Sequence, residues 1–142
     1  MPNTDNIFAR WGKYYGVDPL LLKAIAMQES SLNAAAIRNN PPHDVSVGLM
    51  QILCIPDANG VCTNRFNVEG WDSATFDKLK DPDFNVQIGA QILAWNLKQF
   101  GYPRGIAVYN SWDQRDAPIN GPFKNQHYVN NVLANLASLK GE

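Results

Sequence analysis

The segment from Pro19 to Asn33 most constrains what this chain can fold into. It reads PLLLKAIAMQESSLN and follows an aspartate. An Asp-Pro pair is typical of a helix start, because the carboxylate accepts from the first N–H groups and proline lacks a donor that would be unpaired there. At about 100° per residue, Leu22, Ile25 and Glu29 share one stripe. The apolar face of the predicted helix therefore ends in a carboxylate.

This carboxylate is the first candidate for chemistry. Desolvation disfavours a charged group, so apolar neighbours should raise the pKa of Glu29. A carboxylic acid that stays protonated near neutral pH suits general-acid catalysis at an ether oxygen. Alternatively, Glu29 lies where the helix ends and its face turns to solvent. Position alone leaves both interpretations open.

Length and composition narrow the classes of protein. The 142 residues carry a net charge of −1, with 45% hydrophobic and 18% charged residues, so we expect one domain over residues 1–142, acting as a monomer. No run of Lys or Arg exists, which argues against a nucleic-acid partner. The longest mostly apolar stretch, Leu20 to Met27, is too short for a transmembrane segment.

Apolar spacing and end signals predict a compact, mainly α domain. Besides the segment at Pro19, helices are predicted for Thr4 to Tyr15, Trp71 to Leu79, Pro82 to Phe100, Pro103 to Trp112 and Asn125 to Leu139. No period-2 strand stands out. We therefore expect at most a small β-hairpin, within Arg38 to Leu53 or in the cysteine loop. The segment Gly48 to Ile52 could be a brief helix or a strand.

The longest of these helices should bury one face. Its predicted core face consists of Phe84, Ile88, Ile92, Trp95 and Phe100. Gly89 within it would let another helix approach closely, and the short helix after it needs small residues at Gly105 and Ala107.

The two cysteines lie eight positions apart, at Cys54 and Cys62. A disulfide closing this loop would imply an oxidising compartment, while two free thiols fit the spacing equally well. The only histidines, His43 and His127, lack metal-ligand spacing, so no metal site is expected. No phosphate-binding glycine loop or nucleophile elbow is present.

Polar side chains recur inside apolar segments, at Glu29, Ser30, Gln51, Tyr109 and Asn110. Each could be a core group with a hydrogen-bond partner, but together they favour a wet cleft that binds hydroxyls and amides. A sugar fits this description. Three aromatic residues could stack on pyranose rings: Tyr109, Trp112 and Tyr128.

Five short motifs run in order along nearly the whole chain. They are AMQESSLN at 26–33, GLMQI at 48–52, NVQIG at 85–89, AVYN at 107–110 and Tyr128-Val129. In this order and spacing they resemble the soluble lytic transglycosylase (SLT-type) domain of the goose-type-lysozyme-like group. The resemblance implies a compact lysozyme-like helical domain that cleaves peptidoglycan glycan strands.

The resemblance also implies roles for single residues. Glu29 would be the catalytic acid and then base, with Tyr109 close to it and Tyr128 packed behind. The remaining substrate-binding residues would be Ser30, Met50, Gln51 and Asn110. Glu29 would protonate the oxygen between N-acetylmuramic acid and N-acetylglucosamine, and a 1,6-anhydro ring would close without water or cofactor. The alternatives are a hydrolytic muramidase of the same fold and a non-catalytic peptidoglycan-binding or tail-structural module.

The chain departs from the family pattern at three places. Ser111-Trp112-Asp113 follows Tyr-Asn where the family usually has Ala-Gly, and Lys124-Asn125 replaces a common Glu-Thr. The stretch 44–47 before Gly48 lacks the small Gly-Ala pair that is common in the group. These features resemble transglycosylases of conjugation and secretion machines, or of phages. With no secretory signal visible, we expect a phage-borne lysis or virion enzyme, or one delivered to periplasmic peptidoglycan by a secretion system.

Overall fold

The computed structural model describes residues 4–40, 44–71 and 76–142, and helices dominate it. The helices are α1 (Thr4–Tyr15), α2 (Pro19–Ser30), α3 (Phe76–Leu79), α4 (Pro82–Phe100), α5 (Arg104–Asn110), a 3₁₀ helix η1 (Trp112–Asp116) and α6 (Gln126–Leu139). The strands are β1 (Ile37–Asn40), β2 (Asp44–Val47) and β3 (Ile52–Cys54). The expected mainly α class is confirmed. No helix in the described ranges is long and apolar enough to cross a membrane.

Helix α2 lies at the centre of the core. The Asp18 carboxylate accepts from the N–H of Leu20 at 2.9 Å, and Pro19 opens the first turn, as expected. Leu22 and Ile25 are fully buried where α2 packs against α1 and α6. The helix ends because Ser31 adopts a left-handed conformation, with φ 54°. Glu29 is thereby held in the last turn of a well-packed helix.

A three-stranded antiparallel sheet follows, in the order β1-β2-β3. Val47 pairs with Ile37 on one side and with Ile52 on the other. The expected hairpin is present, and β3 adds a third strand to it. The segment before β3 is a tight turn, in which Gly48 has φ +83° and a Cβ would collide with the Asn85 side chain.

Helix α4 differs from its predicted core face at one end. Asp81 caps it by accepting from the N–H of Phe84 at 3.0 Å, and Phe84, Ile88 and Ile92 are buried. Trp95, however, is 50% exposed. The prediction for Trp95 was wrong, because the ring is half exposed and stacks beside Trp112 of η1. Phe100 is partly buried and meets the same two rings edge-on, outside the main core.

Gly89 and Gly105 both allow a close approach, but only at Gly105 is the neighbour another helix. A Cβ at Gly89 would lie 2.5 Å from the Met50 sulfur, so the close neighbour of α4 there is the turn after β2, not another helix as expected. A Cβ at Gly105 would lie 2.9 Å from the Leu97 backbone nitrogen. The need for a small residue in α5 is therefore confirmed.

The short α5 ends earlier than predicted. Ser111 is extended, with φ −140°, and its N–H donates to Ala107 at 2.9 Å. The chain then forms η1, whose first residue is Trp112. Of the helix predicted from Trp71 to Leu79, the structure describes α3 at Phe76–Leu79, and the expected caps, Asp72 and Ser73, lie outside the described residues.

Cys54 and Cys62 form a disulfide, with the sulfur atoms 1.99 Å apart. The spacing allowed either a disulfide or two free thiols, and the structure contains the disulfide. The Trp71 indole donates to the Cys62 carbonyl at 2.9 Å, so the loop after β3 is tied at both ends. This loop continues to Arg65 and Phe66, which border the cavities described below.

Candidate active site

Glu29 lies in the last turn of α2, partly buried, and accepts a 2.8 Å hydrogen bond from the Tyr128 hydroxyl of α6. Burial raises the pKa of Glu29, while the Tyr128 hydrogen bond and the positive charge of Arg38 lower it in part. The net effect is a raised pKa of Glu29, as the sequence predicted. Glu29 is therefore not a freely hydrated carboxylate at a frayed helix end.

Two tyrosines lie near this carboxylate, and each has its hydroxyl bound. Tyr128 donates to Glu29, whereas Tyr109 donates to the Met50 carbonyl at 2.7 Å. Burial, and then the nearby Glu29 charge, raise the pKa of both tyrosines well above the ordinary range. Both therefore stay neutral hydrogen-bond donors.

Tyr128 cannot present a stacking surface to a sugar. Its ring is only 8% exposed and belongs to the core. The expected stacking on Tyr128 is thus excluded, because α6 packs against α2 and Tyr128 is part of the core. The hydroxyl is the part of Tyr128 that reaches the site.

The wall beside Glu29 is formed by the turn between β2 and β3. The Ser30 hydroxyl lies 2.7 Å from the Leu49 carbonyl oxygen, which ties α2 to this turn. Met50 is fully buried. The Gln51 amide donates to Gly48 at 3.0 Å and to Ala36 at 3.2 Å, and the backbone of Gln51 is left-handed, with φ 51°. Ser30 and Met50 thus shape the wall from behind.

Glu29 opens on a cleft of about 580 Å³, a size typical of ligand sites. Five of the residues predicted from the sequence line it: Glu29, Gln51, Tyr109, Asn110 and the aromatic Trp112. Ser30, Met50 and Tyr128 lie behind the lining. The Asn110 side chain accepts from Asn125 at 2.9 Å, which joins the end of α5 to the start of α6.

Several lining residues were missed by the sequence analysis. The sheet brings Arg38 and Asp44 to the cleft, and α4 contributes Asn96. Among the described lining residues, Asp44 is the only carboxylate besides Glu29. No periodicity marks the irregular region that contains Arg38 and Asp44. Asn96 could have been found, since it is a polar residue inside an apolar helix, like the residues that were singled out.

A metal centre finds no support in the part of the chain that the structure describes. There, no group of three or more His, Cys, Asp or Glu side chains is close enough to hold a metal ion. His127 lies on α6, and His43 falls outside the described ranges. The groups available at the cleft are Glu29 with its raised pKa, a second carboxylate at Asp44, and neutral or cationic hydrogen-bond donors.

One solved structure has a fold similar to that of this chain. The solved complex of the 70-kDa soluble lytic transglycosylase with bulgecin A is similar, with a TM-score of 0.68 and 26% identity. The match covers 95% of this chain and 24% of that one, so this chain spans about a quarter of that protein. The lysozyme-like helical fold expected from the resemblance is confirmed.

The sequence comparisons are more specific. The family described as "Transglycosylase SLT domain" matches residues 6–130, so the chain belongs to the transglycosylase SLT-domain family. The "Invasion protein IagB" of Salmonella typhimurium (strain SL1344) is 30% identical over 130 residues, which cover 91% of this chain and 74% of that protein. Its counterpart from Salmonella typhi is 32% identical over 129 residues, covering 90% and 73%.

Proposed function

We propose that this chain is a peptidoglycan lytic transglycosylase. It cleaves the β-1,4 bond between N-acetylmuramic acid and N-acetylglucosamine and leaves 1,6-anhydro ends. The observation that carries the proposal is the partly buried Glu29, whose pKa is raised and whose carboxylate accepts from Tyr128 at the edge of a cleft. Membership of the SLT-domain family supports the same class of reaction.

In the first step, protonated Glu29 gives its proton to the glycosidic oxygen as the bond to the muramoyl C1 breaks. The N-acetylglucosamine leaves with that proton. Positive charge develops on the muramoyl C1, and the 2-acetamido group of the substrate stabilises it. The raised pKa of Glu29 serves this step, because it keeps the acid protonated at higher pH.

In the second step, the Glu29 carboxylate takes the proton of the muramoyl C6 hydroxyl, and the C6 oxygen attacks C1 to close the anhydro ring. Glu29 ends protonated, as it began, and no water is consumed. The Tyr128 hydrogen bond and the Arg38 charge both favour the ionised form of Glu29. They therefore stabilise the intermediate state in which Glu29 acts as a base.

The other side chains would position the strand. We assign substrate contacts to the polar lining groups Gln51 and Asn110, with Tyr109 beside them. Ser30 and Met50 would hold the turn on which this wall depends. In this proposal residues 1–142 work as one catalytic unit and as a monomer.

The direct test is the Glu29→Gln variant. Glutamine can still accept the Tyr128 hydrogen bond but cannot donate a proton, so turnover of purified sacculi should fall by several orders of magnitude with fold and strand binding kept. The mass of wild-type products identifies the reaction, because anhydro ends are one water lighter than reducing ends. Near-normal clearing of sacculi by Glu29→Gln would refute the assignment.

A second candidate function, a hydrolytic muramidase, is favoured by one observation, the presence of Asp44 in the same cleft. Most glycosidases use two carboxylates. The transglycosylase proposal predicts that Asp44→Asn keeps turnover within about tenfold and keeps the anhydro product. Reducing-end products that disappear in Asp44→Asn would establish the muramidase instead. Strand binding without any turnover would identify a non-catalytic module.

The place of action we propose is the periplasm, where peptidoglycan lies. The Cys54–Cys62 disulfide fits an oxidising compartment. As routes to the periplasm we propose a phage, during infection or lysis, or a secretion system.

A further inference from the structure

A second cavity of about 490 Å³ continues the catalytic cleft. The two cavities share five lining residues: Arg65, Phe66, Ile92, Asn96 and Trp112. Glu29 and Tyr109 line only the catalytic cleft, whereas Trp95 lines only the second cavity. The groove therefore extends beyond the position where bond cleavage is proposed.

One wall of this extension is a fixed aromatic pair. The Trp95 and Trp112 rings are 6.3 Å apart between centroids and inclined by 18°, and they are 50% and 51% exposed. The Phe100 ring meets both edge-on, at 5.7 and 5.8 Å. The Arg115 guanidinium lies 5.0 Å from the Trp112 centroid, although Arg115 lines neither cavity. The pair is held in place while half of its surface stays open.

A buried amide lies where the two cavities join. Asn96 is only 4% exposed, yet it lines both cavities. Within the described ranges its side-chain amide has no hydrogen-bond partner, in contrast to Asn85, the other buried asparagine, which makes three. Its amide atoms are not among the fully buried side-chain atoms that lack a partner in the described ranges, so they face the open space of the cavities. The donor and the acceptor of Asn96 are therefore open to a ligand in the groove.

The opposite side of the groove comes from the loop after the disulfide. Phe66 and Arg65 line both cavities. Arg65 is exposed and makes no ion pair with any described residue. An aromatic wall, an unpartnered amide and a cationic donor thus converge on one space.

This combination matches a pyranose ring. A pyranose presents C–H groups on its faces, which are attracted to the negative face of an aromatic ring, and hydroxyl or acetamido groups on its rim, which need donors and acceptors. We propose that Trp95, Trp112 and Asn96 form an additional glycan subsite, where the catalytic cleft continues into the second cavity, that binds a further sugar of the same strand. The subsite rests on the proposed function and makes the enzyme prefer long strands.

The proposal predicts binding that depends on glycan length. In the Glu29→Gln background, titration with chitotriose and chitohexaose by calorimetry should show tighter binding of the hexaose. Trp112→Ala and Asn96→Ala should each weaken hexaose binding about tenfold, the loss of roughly one good contact. Both residues also line the Glu29 cleft, so each should weaken triose binding as well, but by clearly less. Trp112→Phe should retain most of the affinity, since a ring remains. Tyr102→Ala removes a 52% exposed ring outside both cavities and should change neither affinity.

Several outcomes would overturn the subsite. These are equal losses for triose and hexaose, no loss in either variant, or length-dependent binding that survives both substitutions. Circular dichroism checks the fold, and Trp95→Phe replaces Trp112→Ala if that variant does not fold. The two proposals can be contradicted independently. Anhydro products from the wild type, without glycan-length-dependent binding, would contradict only the subsite. Glycan-length-dependent binding without cleavage of sacculi by the wild type would contradict only the transglycosylase activity.

Discussion

At the scale of single residues, the site depends on opposing influences on one carboxyl group. Burial raises the pKa of Glu29, and the Tyr128 hydroxyl and Arg38 lower it. A group that must donate and then accept a proton works best when neither form is strongly favoured. Tyr128 therefore has a different task from Tyr109, whose hydroxyl binds the Met50 carbonyl.

Tyr128→Phe should shift the pH dependence of activity upward. The lost hydrogen bond stabilised the Glu29 carboxylate, so the pKa of Glu29 rises further, and the alkaline pH at which kcat/KM declines rises with it. The rate should fall about 10- to 100-fold, the effect of one hydrogen bond to a charged group. Turbidity assays on sacculi across pH measure both changes.

The matched control is Tyr109→Phe, the same chemical change on a tyrosine bound elsewhere. It should leave the pH midpoint in place while lowering the free energy of unfolding by about 1–3 kcal/mol, because the buried Met50 carbonyl loses its donor. A Tyr128→Phe profile shifted to lower pH, or not shifted, would contradict the role given to Tyr128.

At the scale of elements, the cleft depends on how the β2–β3 turn is attached to α4. The buried Asn85 amide accepts from the Met50 N–H at 2.8 Å and donates to Val47 at 2.8 Å and to Leu79 at 2.7 Å. One side chain of α4 thus joins the sheet, the turn and the end of α3. Gly89, one turn further along α4, leaves the space that Met50 fills.

Asn85→Ala should lower the free energy of unfolding by on the order of 3 kcal/mol, because it leaves three buried backbone groups without partners. Activity should fall as well, since Met50 and Gln51 lose their support. Urea unfolding measures the stability. Asn130→Ala on the exposed face of α6 is the control and should stay within about 0.5 kcal/mol of wild type. Equal stability of the two variants would refute the role of Asn85.

At the scale of the whole molecule, the groove has one wall built on helices and one built on a loop. The loop is closed by the Cys54–Cys62 disulfide, and both cysteines are buried. Trp71 ties the same loop to the core through the Cys62 carbonyl. Arg65 and Phe66 lie between Cys62 and Trp71, so their position beside the groove depends on this cross-link and on the Trp71 contact.

The double variant Cys54→Ala/Cys62→Ala should be less stable by about 2.5 kcal/mol, the loop-entropy value for a loop this short. Wild type in reductant should lose a similar amount, while the double variant should be insensitive to reductant. Urea unfolding with and without dithiothreitol measures this. Equal sensitivity of both proteins to reductant would show that the disulfide is not the stabilising element.

The sequence by itself determined what depends on neighbouring residues. Asp-Pro caps and apolar spacing predicted α2 and α4, because a helix start and a helix face are local properties. The same stripe identified Glu29 and the direction of its pKa shift. The motif order predicted the family, which the match over residues 6–130 shows.

Only the tertiary structure decided which groups meet. Tyr128 reaches Glu29 across 99 positions of sequence, and the sheet brings Arg38 and Asp44 into the cleft. Periodicity says which face of a helix is apolar but not what covers it, so it placed Trp95 in the core when the ring borders a groove. The cysteine spacing allowed thiols or a bond, and only the fold, with Cα atoms 4.8 Å apart, brought them together as a disulfide.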